Sequence, residues 1–515
     1  MTELAEINRR IVKNTMMLYF RMGITLLVQL YTSRIILGQL GVNDFGIYNV
    51  CAGVVVLFSF INGAMSLATQ RFLSYEIGKG DSQGLSKVFS VSMTVHICIA
   101  ILVLILCETF GLWFLNTHLV IPIARISAAN WVYQFATFSA CLGIIQIPYN
   151  SAIISHERMS FYASLAITEG SLDLLVAFSL RWFGVDKLVF YAILIFVVLI
   201  PIFVARKLYC NKLFPALKFR LVSDRMLFWE ILGFSGWSLW GSVATMSATQ
   251  GVNMLLNMFF GVTVNAAMGI ASQVAGGLNG FVSNFQMAYR PQIVKSFAKC
   301  ERGILLDMIF TSARMSVLLL FLFAAPVIMN MRFVLALWLK VVPTYAPIFC
   351  QVILACALLE SLSAPMWMTI QATGRIRCYQ LYISAALGLN IVLSYIFLRQ
   401  GYPPATVLYI RLGIYALCLL IRLQFMRVLV DFPVFEFGTQ VVARVVVVMG
   451  LSIIAPMLVC YHAAGWTRFC LSILVFGVGY APAAFWLGLK EDERTLAMSA
   501  LRTMAGSNSP PPLCS

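Results

Sequence analysis

Acidic residues are scarce in this sequence. Asp and Glu number 20 in 515 residues, and charged side chains of both signs make up only 11%, too few to solvate the surface of an ordinary soluble domain. Histidine is scarcer still: His96, His118, His156 and His462 stand far apart, without an HExxH or other ligand-like spacing, so neither a metal site nor a cofactor is expected. The 13 cysteines include no CxxC, and Cys51, Cys98, Cys107, Cys141, Cys350, Cys356, Cys418 and Cys460 lie inside apolar runs. They are expected to be small packing residues rather than a disulfide framework. Long polar stretches are missing as well, which leaves no room for a soluble catalytic domain.

Apolar sequence fills the space. Hydrophobic residues make up 61% of the chain and its mean hydropathy is +0.89, which requires a bilayer as solvent and predicts an all-α polytopic membrane protein. A span needs roughly 20 residues. Fourteen runs qualify: 14–37, 47–67, 88–115, 127–154, 160–182, 186–207, 229–258, 265–289, 308–329, 344–371, 378–398, 405–427, 440–461 and 466–488. The opening segment "MTELAEINRRIVK" is polar and basic, and the run after it is too long and lacks the small-residue cleavage site of a signal peptide, so it is expected to remain in the mature chain.

The formal charge of +16 raises the question of nucleic acid, but the basic residues are scattered singly between apolar runs, as topology rather than nucleic-acid binding distributes them. With the N-terminus inside, 24 of the 36 Lys and Arg fall in cytoplasmic segments and seven outside, while Arg21, Arg34, Arg314, Arg411 and Arg444 fall within spans. That asymmetry places both termini in the cytoplasm and favours an even number of spans. The largest inner connection is "KLYCNKLFPALKFRLVSDRM" at 207–226, basic and amphipathic. The tail closes on "GSNSPPPLCS", which has too little apolar content to pack and is expected to be disordered.

An internal repeat organises the chain. At an offset of 217, "PYNSAIISHERMSFY" (148–162) lies over "PMWMTIQATGRIRCY" (365–379), matching Pro148 with Pro365, Arg158 with Arg375 and Tyr162 with Tyr379. An offset near 221 lays residues 60–81 over 281–302. Both pair a span with the one six later, so the expected architecture is two six-helix lobes, 1–207 and 229–427, joined by an amphipathic cytoplasmic linker at 208–228. Tandem six-helix units share one membrane orientation, which implies pseudo-twofold symmetry about the membrane normal. Two extra spans at 428–489 and a cytoplasmic tail at 490–515 complete the division.

Four segments carry a family resemblance: "LGQLGVNDFGIYNV" (37–50), "ATQRFLSYEIGKGD" (68–81), "IPYNSAIISHERMSFY" (147–162) and "IQATGRIRCY" (370–379). Across almost its whole length the chain resembles the multidrug/oligosaccharidyl-lipid/polysaccharide (MOP) exporter superfamily, and within it the Wzx-type flippases of the polysaccharide transport family. The resemblance implies two lobes around a cavity that opens alternately to either side. It also implies a polyprenyl-diphosphate-linked oligosaccharide as substrate, the bacterial inner membrane as location, and polysaccharide-assembly proteins as neighbours. O-antigen lipopolysaccharide, capsule and other surface polysaccharides are equally compatible.

Charges inside spans mark candidate sites, because an isolated intramembrane arginine is costly unless paired or hydrated. Thr25, Gln29 and Thr32 follow Arg21 on one helical face, and Ser238, Ser242, Thr245, Thr249 and Asn253 do the same on the seventh span. Both faces are candidates to line the lumen, with Arg34, Arg290 and Arg411 as further substrate contacts, since a guanidinium offers permanent, bidentate donors to phosphate. The competing reading of Arg21 is that it snorkels to the headgroups about 10 Å away. Glu169, Asp173 and Glu360 are candidates for binding a coupling ion, or else for salt bridges to Arg21, Arg314 or Arg411. These carboxylates also keep open a cation-coupled multidrug extruder of the same superfamily. A membrane-embedded polymerase or glycosyltransferase would instead need an outside loop bearing a carboxylate pair, and the first outside loop offers only Asp44.

The orientation is checked by placing a cysteine at Lys218. A membrane-impermeant maleimide should leave Lys218→Cys at the background of the parent protein in intact cells and modify it after the membrane is opened; labelling in intact cells would invert the topology.

Overall fold

The computed structural model describes residues 2–56, 59–118, 122–182, 186–220, 222, 224–339, 342–459, 465–491 and 493–494. The closing "GSNSPPPLCS" segment lies outside them, as do Cys460, His462 and Arg502. All regular structure among the described residues is helical: α1 (Thr2–Val56), α2 (Ser59–Lys79), α3 (Ser82–Leu106), α4 (Leu112–His118), α5 (Ile126–Ile145), α6 (Ile147–Ser155), α7 (Met159–Ser179), α8 (Lys187–Leu213), α9 (Arg225–Phe260), α10 (Val262–Ala298), α11 (Arg302–Met329), α12 (Met331–Trp338), α13 (Ala346–Thr373), α14 (Arg377–Arg399), α15 (Thr406–Val430), α16 (Val434–Phe437), α17 (Arg444–Val459) and α18 (Gly465–Ala483).

Among the described residues, a helix falls within each of the fourteen expected spans, and eleven helical runs are long and apolar enough to cross a membrane. The expected spans at 47–67, 229–258 and 265–289 fall on helices outside that eleven. In α9 and α10 the cause is visible in sequence: "SGWSLWGSVATMSATQ" and "NAAMGIASQVAGGLNGFVSNFQ" trade large apolar residues for small and polar ones. Such helices pack closely and suit hydrated surroundings better than lipid. Elsewhere large apolar side chains point outward. Leu451, Ile454, Met457 and Leu458 on α17 are each more than half exposed, as lipid-facing residues should be. The chain is a multi-pass membrane protein.

By internal contacts the described chain forms two bundles. The first comprises Asn14–Val243 with Val294–Cys300; the second comprises Ala244–Ile293, the residues before Asn14 and those from Glu301 onward. The division therefore passes through α9 and α10.

In the first bundle, α1 is broken at Gly41, whose φ of 75° and ψ of 172° no side-chain-bearing residue adopts readily. A sharp corner takes the place of an extended loop between the first two spans. Arg125, preceding α5, pins it: its Nε donates to Asp44 at 2.9 Å, and its Nη1 reaches Asp186 at the start of α8. Deeper in, a π-helical turn at Cys107–Gly111 is held open by Tyr133, whose hydroxyl donates to the Cys107 carbonyl at 2.9 Å. A Cβ at Gly111 would strike that hydroxyl. Cys51 and Cys107 pack in this core, whereas Cys98 is exposed, because it falls on the outward face of α3.

In the second bundle, α13 is the central element, with Phe349, Cys350 and Leu354 fully buried against Leu256, Leu335 and Leu408. Near its edge Arg314 of α11 is completely buried and paired with Glu493, at 2.6 Å to Oε2, while Thr311 donates to the same carboxylate at 2.8 Å. Glu493 thus ties the described start of the tail to α11. Removing one partner of a buried ion pair leaves an uncompensated charge and costs about 3–5 kcal/mol. Glu493→Ala should accordingly lower the unfolding temperature in detergent by far more than alanine at the exposed Glu491, and equal temperatures for the two variants would contradict the pairing.

Candidate functional site

A cavity of about 480 Å³ lies within the second bundle, walled by α9, α10, α13 and α15. From α10 come Ser272, Asn279, Ser283 and Gln286, spaced 7, 4 and 3 apart and hence on one helical face. Across from them, α13 supplies Glu360 and Trp367, and α15 supplies Arg411 and Tyr415. Thr249 of α9 completes the polar wall; its hydroxyl donates to the Thr245 carbonyl at 3.0 Å.

The charges on these walls are unequally compensated. Glu360 accepts from Arg422 Nη2 at 3.0 Å, and Arg422 also donates to Tyr379 Oη at 3.1 Å and to Ser363 Oγ. Arg422 is buried, and its charge and hydrogen-bond donors are matched. Arg411 donates at 2.9 Å to the Tyr415 hydroxyl, a neutral acceptor, and no carboxylate accepts from it among the described residues. Arg290 of α10 lies over the Trp367 ring, 5.0 Å from its centroid, and makes no hydrogen bond or ion pair among the described residues. Both guanidinium groups are thus contacted directly by aromatic side chains, and Glu360, which acts on Arg411 through space, accepts its hydrogen bond from Arg422. A cation–π contact contributes about 0.5–2 kcal/mol, less than the cost of withdrawing the charge from water. The site retains capacity for an anion.

The first bundle carries a related arrangement. Arg206 at the end of α8 reaches Glu169 of α7 at 3.2 Å and donates to Gln146 at the α5–α6 break. Arg422 stands 216 residues after Arg206, and Ser363 stands 217 after Gln146. A proline follows each position: Pro148 opens α6 just beyond Gln146, and Pro365 lies inside α13 just beyond Ser363, each lacking the N–H that the helix ladder uses. Arg21 lies over Tyr162, 4.8 Å from the ring centroid, and Tyr162 is the repeat mate of Tyr379.

The residues expected from sequence fall into separate groups. Thr249, Glu360 and Arg411 share the cavity, and Arg290 touches it through Trp367. Along α1, Arg21 and Thr25 are half-buried, Gln29 and Arg34 exposed, and Thr32 buried; Thr25 donates to the Arg21 carbonyl at 2.8 Å. Ser242 donates to the Ser238 carbonyl and Asn253 to Gln250. Asp173 lies near Tyr48 and Tyr191, whose rings meet edge to face at 4.9 Å, with no ion pair among the described residues. The salt bridges considered for the carboxylates have other partners: Glu169 pairs with Arg206 and Glu360 with Arg422, while Arg314 pairs with Glu493. Arg206 and Arg422 were counted among the cytoplasmic charges because they close apolar runs. Their near-equal spacing to the repeat was the available signal.

No family model and no curated protein matches the sequence. Solved structures do. A proline-to-alanine mutant of a MATE transporter superposes with a TM-score of 0.71 at 13% identity, covering 83% of this chain and 98% of that one. An outward-facing multidrug resistance MATE family transporter of the MOP superfamily gives 0.69 at 12% identity, covering 83% and 97%. A MOP superfamily transporter from Pyrococcus furiosus, described by the reverse polarity of its binding pocket, gives 0.66 at 12% identity, covering 84% and 96%. The chain has the fold of these transporters.

The two kinds of arginine should respond oppositely to an apolar replacement. Arg290→Met removes a desolvated charge without a counter-ion and should raise the unfolding temperature in detergent, by an amount corresponding to about 1 kcal/mol. Arg422→Met leaves Glu360 and Tyr379 without their donor and should lower it, corresponding to about 2 kcal/mol. A destabilised Arg290→Met would mean that its charge is already neutralised.

Proposed function

We propose that this chain is a flippase that carries a polyprenyl-diphosphate-linked oligosaccharide across the bacterial inner membrane by alternating access, for surface polysaccharide synthesis. The observation that carries the reading is the surplus of guanidinium over carboxylate at the cavity: Arg411 and Arg290 make their direct contacts with Tyr415 and Trp367, while Glu360, the carboxylate near Arg411, is hydrogen-bonded by Arg422. An anionic head group suits those donors, because a guanidinium offers phosphate oxygens fixed, bidentate geometry. The hydroxyl and amide groups of Ser272, Asn279, Ser283 and Gln286, facing the Trp367 side of the cavity, suit the hydroxyls of a sugar.

On this reading the repeat defines lobes at 1–207 and 229–427, the linker at 208–228 and both termini are cytoplasmic, and Arg21, over Tyr162, is a further phosphate contact. The multidrug-extruder alternative draws on Asp173, which has no ion pair among the described residues and is the best-placed coupling-ion candidate now that Glu169 and Glu360 have arginine partners. The charge balance at the cavity disfavours a cationic cargo. The Pyrococcus furiosus transporter, whose reversed pocket polarity suggests a different function for it, is a precedent for varying polarity on this fold.

Surface polysaccharide in a strain lacking the gene, complemented with each variant at matched membrane levels, tests the proposal. Arg411→Ala and Arg21→Ala should each reduce export at least ~10-fold. Arg411→Lys separates the two forms of anion binding: near-normal export indicates charge alone, and a loss close to that of alanine indicates bidentate contact. Full export by Arg411→Ala would remove the phosphate site, and a strain whose polysaccharide never depended on the gene would remove the flippase reading altogether.

A further inference from the structure

At one end of the first bundle, Glu157 adopts a conformation that its repeat mate adopts more easily. Glu157 has φ +59°, in the left-handed region, where a residue with a side chain is strained. At the offset of 217 its counterpart is Gly374, φ +79°, which ends α13 as a left-handed cap. The same turn is built twice, once with glycine and once with glutamate. Local backbone energetics favour glycine at both, so the glutamate side chain must offset the strain.

Among its contacts is Lys295, whose Nζ donates to Glu157 Oε1; the Lys295 and Glu157 side chains are only 16% and 9% exposed. Lys295 belongs to the last turn of α10, in the stretch Val294–Cys300 that packs with the first bundle although the helix up to Ile293 packs with the second. Pro291 lies two residues before that division and removes an N–H from the helix ladder. The end of α10 is therefore joined to the rest of its helix through a weakened turn. A second contact holds it closely: a Cβ added at Gly78 of α2 would lie 2.8 Å from the Lys295 carbonyl oxygen and 2.8 Å from the Ala298 Cβ, so the backbones meet as only glycine allows. Beside the pair, His156 stacks on Phe214 at 3.9 Å. Burial, with Lys295 and Arg158 nearby, pushes its imidazole down to about 4, and the ring adds no second cation at neutral pH.

The first part of α9 meets α2 at the same end. Phe234 packs edge to face on Phe72 at 5.8 Å, and Arg71 lies over Phe72, Tyr75 and Phe234. Thus α9 and α10, the two helices through which the division between bundles passes, both have an end seated on α2.

We infer that Glu157, Lys295 and Gly78 form a releasable latch, which holds the end of α10 against the first bundle and opens at the Pro291 turn during the transport cycle. The latch is indifferent to the cargo and goes beyond the substrate reading above. It also accounts for a glutamate at a position suited to glycine: the carboxylate that holds Lys295 offsets the strained backbone.

The test uses a reporter that does not depend on the substrate. Ser296 is 3% exposed within the latched stretch, and Ser296→Cys, followed by maleimide labelling of the full-length protein and peptide mass spectrometry, reports opening. Native Cys210, fully buried in the same bundle, is the internal reference. In the otherwise native protein, Cys at 296 should label slowly but to completion while Cys210 stays unmodified. Glu157→Gly, which relieves the backbone, should speed labelling at 296 about tenfold without lowering the unfolding temperature. Glu157→Lys should open it similarly, and Glu157→Lys with Lys295→Glu should restore slow labelling. The latch is refuted if position 296 never labels in the native protein, if Glu157→Gly leaves the rate unchanged, or if the charge-swapped pair labels as fast as Glu157→Lys alone.

Discussion

A guanidinium cannot be deprotonated within any accessible pH range, and in a low-dielectric interior its charge must be answered by another group. The protein solves this in two ways. Arg206 and Arg422 each face a carboxylate and a neutral acceptor, Glu169 with Gln146 and Glu360 with Tyr379 and Ser363, and Arg314 faces the Glu493 carboxylate. Arg290 and Arg411 are supported by aromatic rings and a phenol hydroxyl. The first group joins helices distant in sequence and fixes their rotation. The second leaves electrostatic work undone beside a cavity, and that difference separates scaffold from candidate site.

The repeat sharpens the distinction, because it provides an internal control for each departure from symmetry. Arg206 and Arg422, Gln146 and Ser363, and Tyr162 and Tyr379 occupy corresponding places at offsets of 216 and 217, so an arginine anchor close to a proline occurs at both. Glu157 against Gly374 breaks the correspondence at a backbone that prefers glycine. A conserved plan needs only packing to explain it. A costly exception needs a side-chain role, and here the side chain reaches Lys295.

Helix composition links sequence to fold. The most apolar helices present large side chains outward, and stability there comes from close packing within each bundle rather than from expelling water. In α9 and α10, small and polar residues replace them. That exchange weakens the hydropathy signal, permits close approach at Gly251, and gives the cavity its hydroxyl and amide groups. Helices that line a hydrated cavity in a membrane cannot be uniformly apolar, because polar groups there need partners.

Much of this could be read from the chain alone. The span expected at 344–371 is α13, Ala346–Thr373, and the break between the first two expected spans falls at Gly41. Such features are local: hydropathy sums over a window, a glycine or proline acts on its own turn, and a repeat needs only matching of segments. The candidate site was legible in part. Arg411, Glu360 and Thr249 were singled out and do share a cavity, but Trp367, Tyr415 and Gln286 carried no signal beyond ordinary membrane-helix composition. The polar stripe of α1 was legible as spacing, yet Gln29 is exposed and Thr32 buried, because neighbouring helices cover one face unevenly. Pairing was decided only by tertiary structure. Arg206 with Glu169 and Arg314 with Glu493 join residues 37 and 179 positions apart, and which carboxylate meets which arginine depends on the rotation of each helix and the neighbour it packs against, quantities that no local window of sequence contains.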